Sequence, residues 1–463
     1  MSTMKNQIFA LSLAFAAGSV CADALDAAWL RGTTDKDPLS YRVGEEMTIT
    51  VTPMDLEGKP AEGSYTYWWK RSGDDGVVEE GNAPFTGEPV VFKTKIDRPG
   101  FVRIQMQVKD RNGNTYKRAF KADDKTPEGK KAMNRFEKRN GSIFFDGGAG
   151  ANVEELSIHP EPEDFDEFWK GQFARLDLVP IKADLKPIEL KTKKAKGWAV
   201  RIDCAGLRPV TGYLTIPVGS EKGETYPARL ETHGYNGDRA NHDAPQWARD
   251  NEIVLNINAH GLKLAEFGGT EADRKALVWE IRSHDQTYAF DPAQNADPET
   301  AYFNGMVLRV KRALQYLKTL ECWNGKDLIA AGGSQGGLQT MWAAACGEGV
   351  TRAESSITWN CDMYTNGKLR RDKSLKLAAD GWYIPWTEAL GYYDAAHFAR
   401  RVPASCRLVI PRAGLGDYCC PPTGLVKMWN NITNENAEIH WVQGSQHGYV
   451  PPEYEGRDFT RTK

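Results

Sequence analysis

The sequence has no marked excess of charge of either sign. Its 59 lysines and arginines are nearly balanced by 62 aspartates and glutamates, which gives a formal net charge of -3. The charges are interspersed, so the chain offers no basic stripe for a phosphate backbone and no polybasic patch for a membrane surface. We therefore expect neither nucleic acid nor a membrane surface as a partner.

Long apolar runs and internal repeats are also missing after the first residues. No segment beyond Val20 is apolar for long enough to span a bilayer. The run from Ile8 to Val20 follows Lys5 and is followed by small residues through Ala24, which is the layout of a secretory signal peptide. We predict a signal peptide at residues 1–24 and export to the periplasm or the extracellular space.

Cysteine is scarce, and its pattern matches no metal site. The chain has eight cysteines, none at the spacing of zinc ligands. Because Cys21 lies in the predicted signal peptide, the mature protein would keep an odd number. The adjacent Cys419 and Cys420 cannot easily bridge each other, so we expect most of these side chains to pack in the core.

The N-terminal part of the chain carries a β pattern. Met47, Ile49 and Val51 alternate with threonines, and a second alternating run extends from Val102 to Val108. Aromatic residues between positions 65 and 69 supply bulk for a core, although they could instead bind sugar rings. We predict an immunoglobulin-like β-sandwich over residues 25–140, with the domain boundary between about 125 and 160, where charged and glycine-rich stretches follow.

A different pattern fills residues 155–463. Asp164 could cap a helix that bears apolar residues on one face, beginning with Phe165. Beyond it, strands alternate with helical or loop stretches, which predicts an α/β domain with a mostly parallel, doubly wound sheet. The predicted strands are 199–204, 212–216, 253–257, 328–331, 356–359, 407–410 and 439–442.

A serine among four glycines is the leading candidate for chemistry. Ser334 follows the apolar strand and precedes a small, apolar segment suited to a helix, with Gly332 and Gly336 at the outer positions of Gly-x-Ser-x-Gly. Such a turn strains the backbone at the serine and requires neighbours without side chains. The motif alone is weak, so a plain glycine-rich loop remains the alternative.

A serine hydroxyl is a poor nucleophile at neutral pH, so Ser334 needs a histidine base. In such sheets the chain order is serine, acid, histidine. His447 lies in a loop after the last predicted strand and is our candidate base. His440 is interpreted as a strand residue, and His397 comes too early for this order.

The base needs an acid to orient it, and two donors must stabilise the oxyanion. Asp417, just past the strand 407–410, is the candidate acid, although it could instead cap the next helix, and Asp362 is the alternative. The backbone amide of Gln335 is predicted as one donor. The second is predicted to be the amide of Tyr235, in a His-Gly loop where His233 shapes the backbone.

Together, four motifs resemble the acetyl xylan esterase and cephalosporin C deacetylase family. They are Gly332–Gly337, His233–Gly237, Asp417 with the following Cys420-Pro421-Pro422, and Asp164–Trp169. The resemblance runs from about Pro162 to Tyr449. It implies an α/β-hydrolase fold, a Ser-His-Asp mechanism without metal or other cofactor, and deacetylation of small acetylated sugars or other small acetyl esters, often by a homo-oligomer.

The chain departs from that family's pattern in three places. Asn258-Ala259-His260-Gly261 stands where an Arg-Gly-Gln turn is usual, Gly448 replaces the usual Glu after the base, and the β domain is an addition. These departures leave the oligomeric state and the exact substrate open. Two other functions remain as alternatives, a prolyl oligopeptidase-like serine peptidase and a non-catalytic carbohydrate-binding protein. The stretch from Leu262 to Ala301 receives no predicted role.

Overall fold

The computed structural model describes residues 25–117, 141–235, 248–369, 383–454 and 459–463, apart from the single residues 26, 59, 61, 250, 285 and 453. The predicted signal peptide at residues 1–24 lies outside these ranges, as do Asn236 and Gly237 of the His-Gly motif. Within these ranges, no helix combines the length and the apolar composition needed to cross a membrane.

Two antiparallel sheets form the N-terminal part of the described chain, which we call the β layer. One sheet has the strand order β1-β2-β5 and the other β4-β3-β6-β7. The strands are β1 Trp29–Thr34, β2 Met47–Met54, β3 Tyr65–Gly73, β4 Glu79–Pro84, β5 Val90–Thr94, β6 Gly100–Asp110 and β7 Phe144–Ala151.

Buried residues alternate with more exposed ones along β2 and along part of β6, and the buried side chains of the two sheets pack together. Ile49 and Val51 of β2 and Val102 and Ile104 of β6 are buried in one apolar cluster that both sheets share. Tyr67 is also completely buried there, so this aromatic residue serves the core. The β layer extends beyond residue 140, because the glycine-rich residues 144–151 pair with β6 as a strand.

A sheet of ten strands forms the second part of the described chain, in the order β17-β16-β15-β14-β13-β11-β12-β10-β9-β8. Its six central strands, from β16 to β12, run parallel, while β8, β9, β10 and β17 pair in antiparallel fashion. The strands are β8 Ala183–Ile188, β9 Ala195–Ile202, β10 Val210–Pro217, β11 Tyr226–Thr232, β12 Ile253–Ile257, β13 Trp323–Gly333, β14 Arg352–Ser356, β15 Arg407–Gly414, β16 Ala437–Val442 and β17 Phe459–Thr462.

Helices alternate with these strands, as the sequence predicts for an α/β domain. They are α1 Phe165–Asp177, α2 Glu271–Ile281, α3 Asn304–Leu317, α4 Gln335–Ala345, α5 Ala395–Ala399 and α6 Pro422–Asn431. Short 3-10 turns lie at Val153–Glu155, Val218–Lys222, Ala265–Phe267 and Glu388–Tyr392, and a π-helical turn at Thr365–Leu369. At the start of α1, the Asp164 carboxylate accepts the Tyr392 hydroxyl and makes no capping bond.

The predicted strand 356–359 is wrong. The strand is β14, Arg352–Ser356, and the chain then turns, with positive φ angles at Ile357 (39°) and Asn360 (55°). The apolar residues of this turn are buried all the same, and the Trp359 amide donates to the Ser334 carbonyl (3.1 Å). Burial beneath the serine turn explains an apolar run that is not a strand.

Candidate active site

Ser334 lies in the sharp turn between β13 and α4, with φ 60° and ψ -121°. A positive φ is costly for a residue with a side chain and persists only when neighbours hold it. Here the Ser334 amide donates to the Ser356 carbonyl (3.0 Å), and the Ser334 carbonyl accepts the amides of Leu338 and Trp359 (both 3.1 Å). The backbone strain expected at this serine is therefore present, and its hydroxyl lies at the carboxyl end of a central parallel strand.

The end of β11 packs directly against this turn. The Thr232 hydroxyl donates to the Gly336 carbonyl (2.8 Å). A β-carbon added to Gly234 would lie 3.9 Å from the β-carbon of Ser334. The His-Gly loop therefore borders the serine, as an oxyanion loop must.

Asp417 and His447 are brought together from two further strand ends. Asp417 follows β15 and is completely buried, and its Oδ2 is 2.9 Å from Nδ1 of His447, in the loop after β16. Its Oδ1 accepts the backbone amides of Cys419 and Cys420, each at 3.0 Å. A carboxylate so bonded accepts the Nδ1 hydrogen, which leaves His447 Nε2 with the lone pair that a base requires.

Carboxyl ends of parallel strands meet at one edge of a sheet, which is where ligands bind in such folds. Ser334 follows β13, Asp417 follows β15 and His447 follows β16, so all three lie at this edge. The structure thus joins the acid to the base, and the contact between Ser334 and His447 remains a prediction.

The alternative residues are engaged elsewhere. Asp362 is buried and its Oδ2 accepts Nζ of Lys427 at 2.6 Å. His440 lies within β16 and bonds Thr460 across to β17 (3.0 Å). Both ring nitrogens of His397, in α5, lie within hydrogen-bond distance of backbone carbonyls. These contacts leave Asp417 and His447 as the acid and base candidates.

His233 shapes its loop through both ring nitrogens. Nε2 accepts the amide of Ala259 (3.0 Å), and Nδ1 therefore donates to the carbonyl of Gly234 (2.7 Å). Burial lowers the pKa of His233, which favours this neutral form. Next to it, Tyr235 holds its own side chain by an hydroxyl hydrogen bond to the Tyr288 carbonyl (2.9 Å). The described part of the loop that carries the predicted second oxyanion donor is therefore anchored at both His233 and Tyr235.

The sequence did not point to the aromatic residues that surround this loop. Tyr235 stacks on Tyr288 with ring centroids 3.9 Å apart and meets Trp359 edge-on at 5.4 Å. The Tyr288 hydroxyl donates to the Gln335 side chain (2.9 Å), directly after the candidate nucleophile. The stretch from Leu262 to Ala301 thus contributes a wall to the site. For Trp359, the available signal was its place just past β14, the neighbour of the strand that leads to Ser334, because ligands bind at the carboxyl ends of such strands.

Asp417, Cys419 and His447 also offer three potential metal-ligand atoms within 4.8 Å of one another. Two of these residues are hydrogen-bonded to each other, so an ion could bind there only by replacing the bond that orients His447. Of the seven cysteines in the described chain, all are free thiols and four are buried. The hydrogen-bonded pair of Asp417 and His447 therefore supports acid-base chemistry better than metal binding.

The family described as Acetyl xylan esterase (AXE1) matches residues 153–375 of the chain. This span includes Tyr235, Ser334 and Gln335. The acetyl esterase Axe7A of Xylanibacter ruminicola is 24% identical over 431 residues, which cover 90% of this chain and 88% of that protein. Similarity to this relative therefore includes most of the β layer as well as the ten-stranded sheet.

Two solved structures share the fold. The acetyl xylan esterase from Paenibacillus sp. R4 has a TM-score of 0.52 at 20% identity and covers 64% of this chain and 94% of its own. Acetyl xylan esterase 1 from Thermoanaerobacterium sp. JW/SL YS485 has a TM-score of 0.51 at 17% identity and covers 64% of this chain and 93% of its own. The ten-stranded part of the chain therefore has the α/β-hydrolase fold.

Proposed function

Because the chain belongs to the acetyl xylan esterase family and is a carboxylic ester hydrolase, we propose that it removes acetyl groups from xylan-derived or other acetylated sugars. The observation that carries this proposal is the Asp417–His447 hydrogen bond (2.9 Å) at the sheet edge where the strained Ser334 turn also lies. The names of the relative and of the two fold neighbours support acetate as the acyl group.

In the proposed mechanism, the Ser334 hydroxyl attacks the acetyl carbonyl while Nε2 of His447 takes its proton. Asp417 holds the Nδ1 hydrogen and stabilises the imidazolium. The sugar leaves with the proton from His447, and a water molecule activated by the same imidazole then releases acetate from the serine. The amides of Gln335 and Tyr235 would stabilise the oxyanion of both steps.

The aromatic residues beside the serine support a small acyl pocket. Tyr235 is fixed by its stacking on Tyr288 and by its hydroxyl hydrogen bond, so it cannot swing aside without losing both. Trp359 is buried against it. Longer acyl chains would clash with such a wall, because packed side chains resist extra methylene groups at a cost of about 1–3 kcal/mol.

Export and the domain organisation belong to the same proposal. We propose that residues 1–24 form a signal peptide and that the protein acts in the periplasm or outside the cell, on substrates released from polysaccharide. We also propose that the β layer is an immunoglobulin-like domain. Its two antiparallel sheets share one core, which supports this assignment. The propeller of prolyl oligopeptidase-like enzymes instead repeats four-stranded blades around a central channel.

The test is a comparison of matched aryl acetates and butyrates, together with acetylated xylo-oligosaccharides. Acetate should exceed butyrate in kcat/KM by about tenfold or more, which is roughly 1.4 kcal/mol in the transition state. His447→Ala should lose about 10^4-fold or more in kcat, whereas His440→Ala, which removes a histidine of β16, should stay within about threefold.

A preference for butyrate or longer chains would contradict the acetyl-esterase proposal. Cleavage of peptides after proline would favour the peptidase alternative. Binding of xylo-oligosaccharides without acetate release would favour the non-catalytic one.

A further inference from the structure

A buried ion pair of the β layer lies against the loops that carry the candidate acid and base. Arg103 of β6 donates to Asp146 of β7 through Nε (2.8 Å) and Nη2 (2.5 Å). Their side chains are only 8% and 1% exposed. Burying two charges is costly unless they are paired and hydrogen-bonded, so both groups are held firmly in place.

The Arg103–Asp146 pair contacts the loop after β15 that carries Asp417, which we call the acid loop. The Arg103 guanidinium lies 4.0 Å from the ring centroid of Tyr418, the residue after Asp417. The residue before Asp417 is Gly416, and a β-carbon there would lie 1.9 Å from the carbonyl oxygen of Asp146. Only glycine fits at that position, so the backbone of β7 sits directly on the acid loop.

The same pair also contacts the loop after β16 that carries His447, which we call the base loop. Nε2 of Gln446, the residue before His447, donates to Oδ2 of Asp146 at 2.8 Å. Gln443, in the same loop, exchanges two hydrogen bonds with the backbone of Gly148 in β7, at 2.9 and 2.8 Å. Asp146 thus contacts both loops, because its backbone carbonyl lies against Gly416, before Asp417, and its carboxylate accepts a hydrogen bond from Gln446, before His447.

The two loops also bond each other. The Gly416 amide donates to the Ser445 carbonyl and the Leu415 amide to the Val442 carbonyl, both at 3.0 Å. The two loops are therefore joined to each other, and both contact β7 and its ion pair.

We propose that the Arg103–Asp146 pair positions Asp417 and His447 for catalysis, so that the β layer completes the active site. Arg103, Asp146 and Gln446 are positioning residues in this account, since they act through the two loops. The inference rests on the proposed roles of Asp417 and His447. Burial raises the pKa of Asp146, opposed by Arg103 and Gln446, which means that its negative charge depends on these two partners.

The experiment uses the full-length protein and three substitutions. Gln446→Ala removes the hydrogen bond from the base loop to Asp146 and leaves the ion pair and the two Gln443 hydrogen bonds intact, so we expect this variant to fold. Asp146→Asn neutralises the carboxylate without changing its shape. The matched control is Asp75→Asn, in the other buried arginine–aspartate pair of the β layer, where Arg71 and Asp75 are 4% and 5% exposed. Arg71 donates hydrogen bonds to Asp75 and Thr94 and to the carbonyls of Val77 and Lys95, all within the β layer.

Steady-state kinetics on an aryl acetate and thermal unfolding are measured for each variant. We expect Gln446→Ala and Asp146→Asn to lower kcat about tenfold or more, because small displacements of catalytic groups are costly, with KM within about twofold. Asp75→Asn should keep kcat within about twofold even when its unfolding temperature falls as far as that of Asp146→Asn. A purely structural role would instead make kcat follow stability in all three variants.

Unchanged kcat in Gln446→Ala and Asp146→Asn would overturn the inference, and so would an equal loss in Asp75→Asn. The wild-type enzyme and Ser334→Ala separate this failure from that of the proposed function. An active wild type with an inactive Ser334→Ala leaves the proposed function standing, whatever the three variants do. Absence of acetate release by the wild type would contradict both.

Discussion

Replacing Gly336 with alanine tests whether the serine turn and the His-Gly loop form one unit. A β-carbon at Gly336 would lie 2.5 Å from the Thr232 carbonyl oxygen and 3.2 Å from the carbonyl carbon of His233. Ordinary contacts lie at 3.4–4 Å, so the Thr232 oxygen must retreat by roughly 1 Å. Because the Thr232 hydroxyl is bonded to the Gly336 carbonyl (2.8 Å), the loop cannot move without disturbing the turn.

The expected magnitude follows from that displacement. A misplacement of about 1 Å in an active site costs on the order of 10²-fold in rate. Loss of one oxyanion donor costs about 10²- to 10³-fold in kcat. We therefore expect Gly336→Ala to lower kcat about 100-fold, or roughly 2.7 kcal/mol of transition-state stabilisation. Overpacking should also lower the free energy of unfolding by about 1–3 kcal/mol.

The matched control is Gly333→Ala, on the other side of Ser334. A β-carbon at Gly333 would meet its nearest neighbours at 3.8 Å, an ordinary contact. Both variants are assayed on an aryl acetate under saturating conditions, and their unfolding is followed by circular dichroism. If Gly336→Ala turns over as fast as Gly333→Ala, the turn and the loop are not coupled and the reasoning is refuted.

Three further predictions concern single side chains. Asp417→Asn should lower kcat by about 10^4-fold, while Asp362→Asn should mainly lower stability; the reverse result in steady-state kinetics would exchange their roles. Burial raises the pKa of Glu231 in β11 to about 7 from 4.5. Between these two pH values, the folded chain keeps a proton on Glu231 that the unfolded chain has lost. The free energy of unfolding should fall as pH rises through this window, by up to about 1.4 kcal/mol per pH unit, and urea titrations should show that Glu231→Gln flattens this slope. Tyr288→Phe removes the donor to the Gln335 side chain and should cost about 1–3 kcal/mol in the same titrations; an unchanged midpoint would show that this hydrogen bond contributes nothing.

Short sequence patterns predicted those strands and turns whose formation depends on neighbouring residues. Alternation in Met47–Met54 and Gly100–Asp110 predicted two strands of the β layer, because a strand with one buried face has a period of two. Glycine spacing around Ser334 predicted the strained turn, since few residues other than glycine tolerate such close backbone contact. Its place just past the strand 407–410 then favoured Asp417 as the acid, with Asp362 as the alternative, and the structure pairs Asp417 with His447.

Features that depend on distant parts of the chain were missed for a physical reason. The glycine-rich residues 144–151 favour a linker when considered alone, and only their pairing with β6 and their contact with the Asp417 loop make them a strand. The apolar residues after Ser356 favour a strand, yet they are buried by the turn under Ser334. Tyr288 lies in a stretch without periodicity, so no local pattern places it against Tyr235.

The central claim is that Ser334 is the nucleophile of a serine esterase. The most direct measurement is reaction of the folded, active enzyme with a serine-directed organophosphorus reagent, followed by peptide mass spectrometry to locate the adduct. The account predicts one adduct per chain, on Ser334, formed in step with loss of acetyl-esterase activity and absent in Ser334→Ala. Complete inactivation with an unmodified Ser334, or an active enzyme that carries the adduct on Ser334, would contradict it.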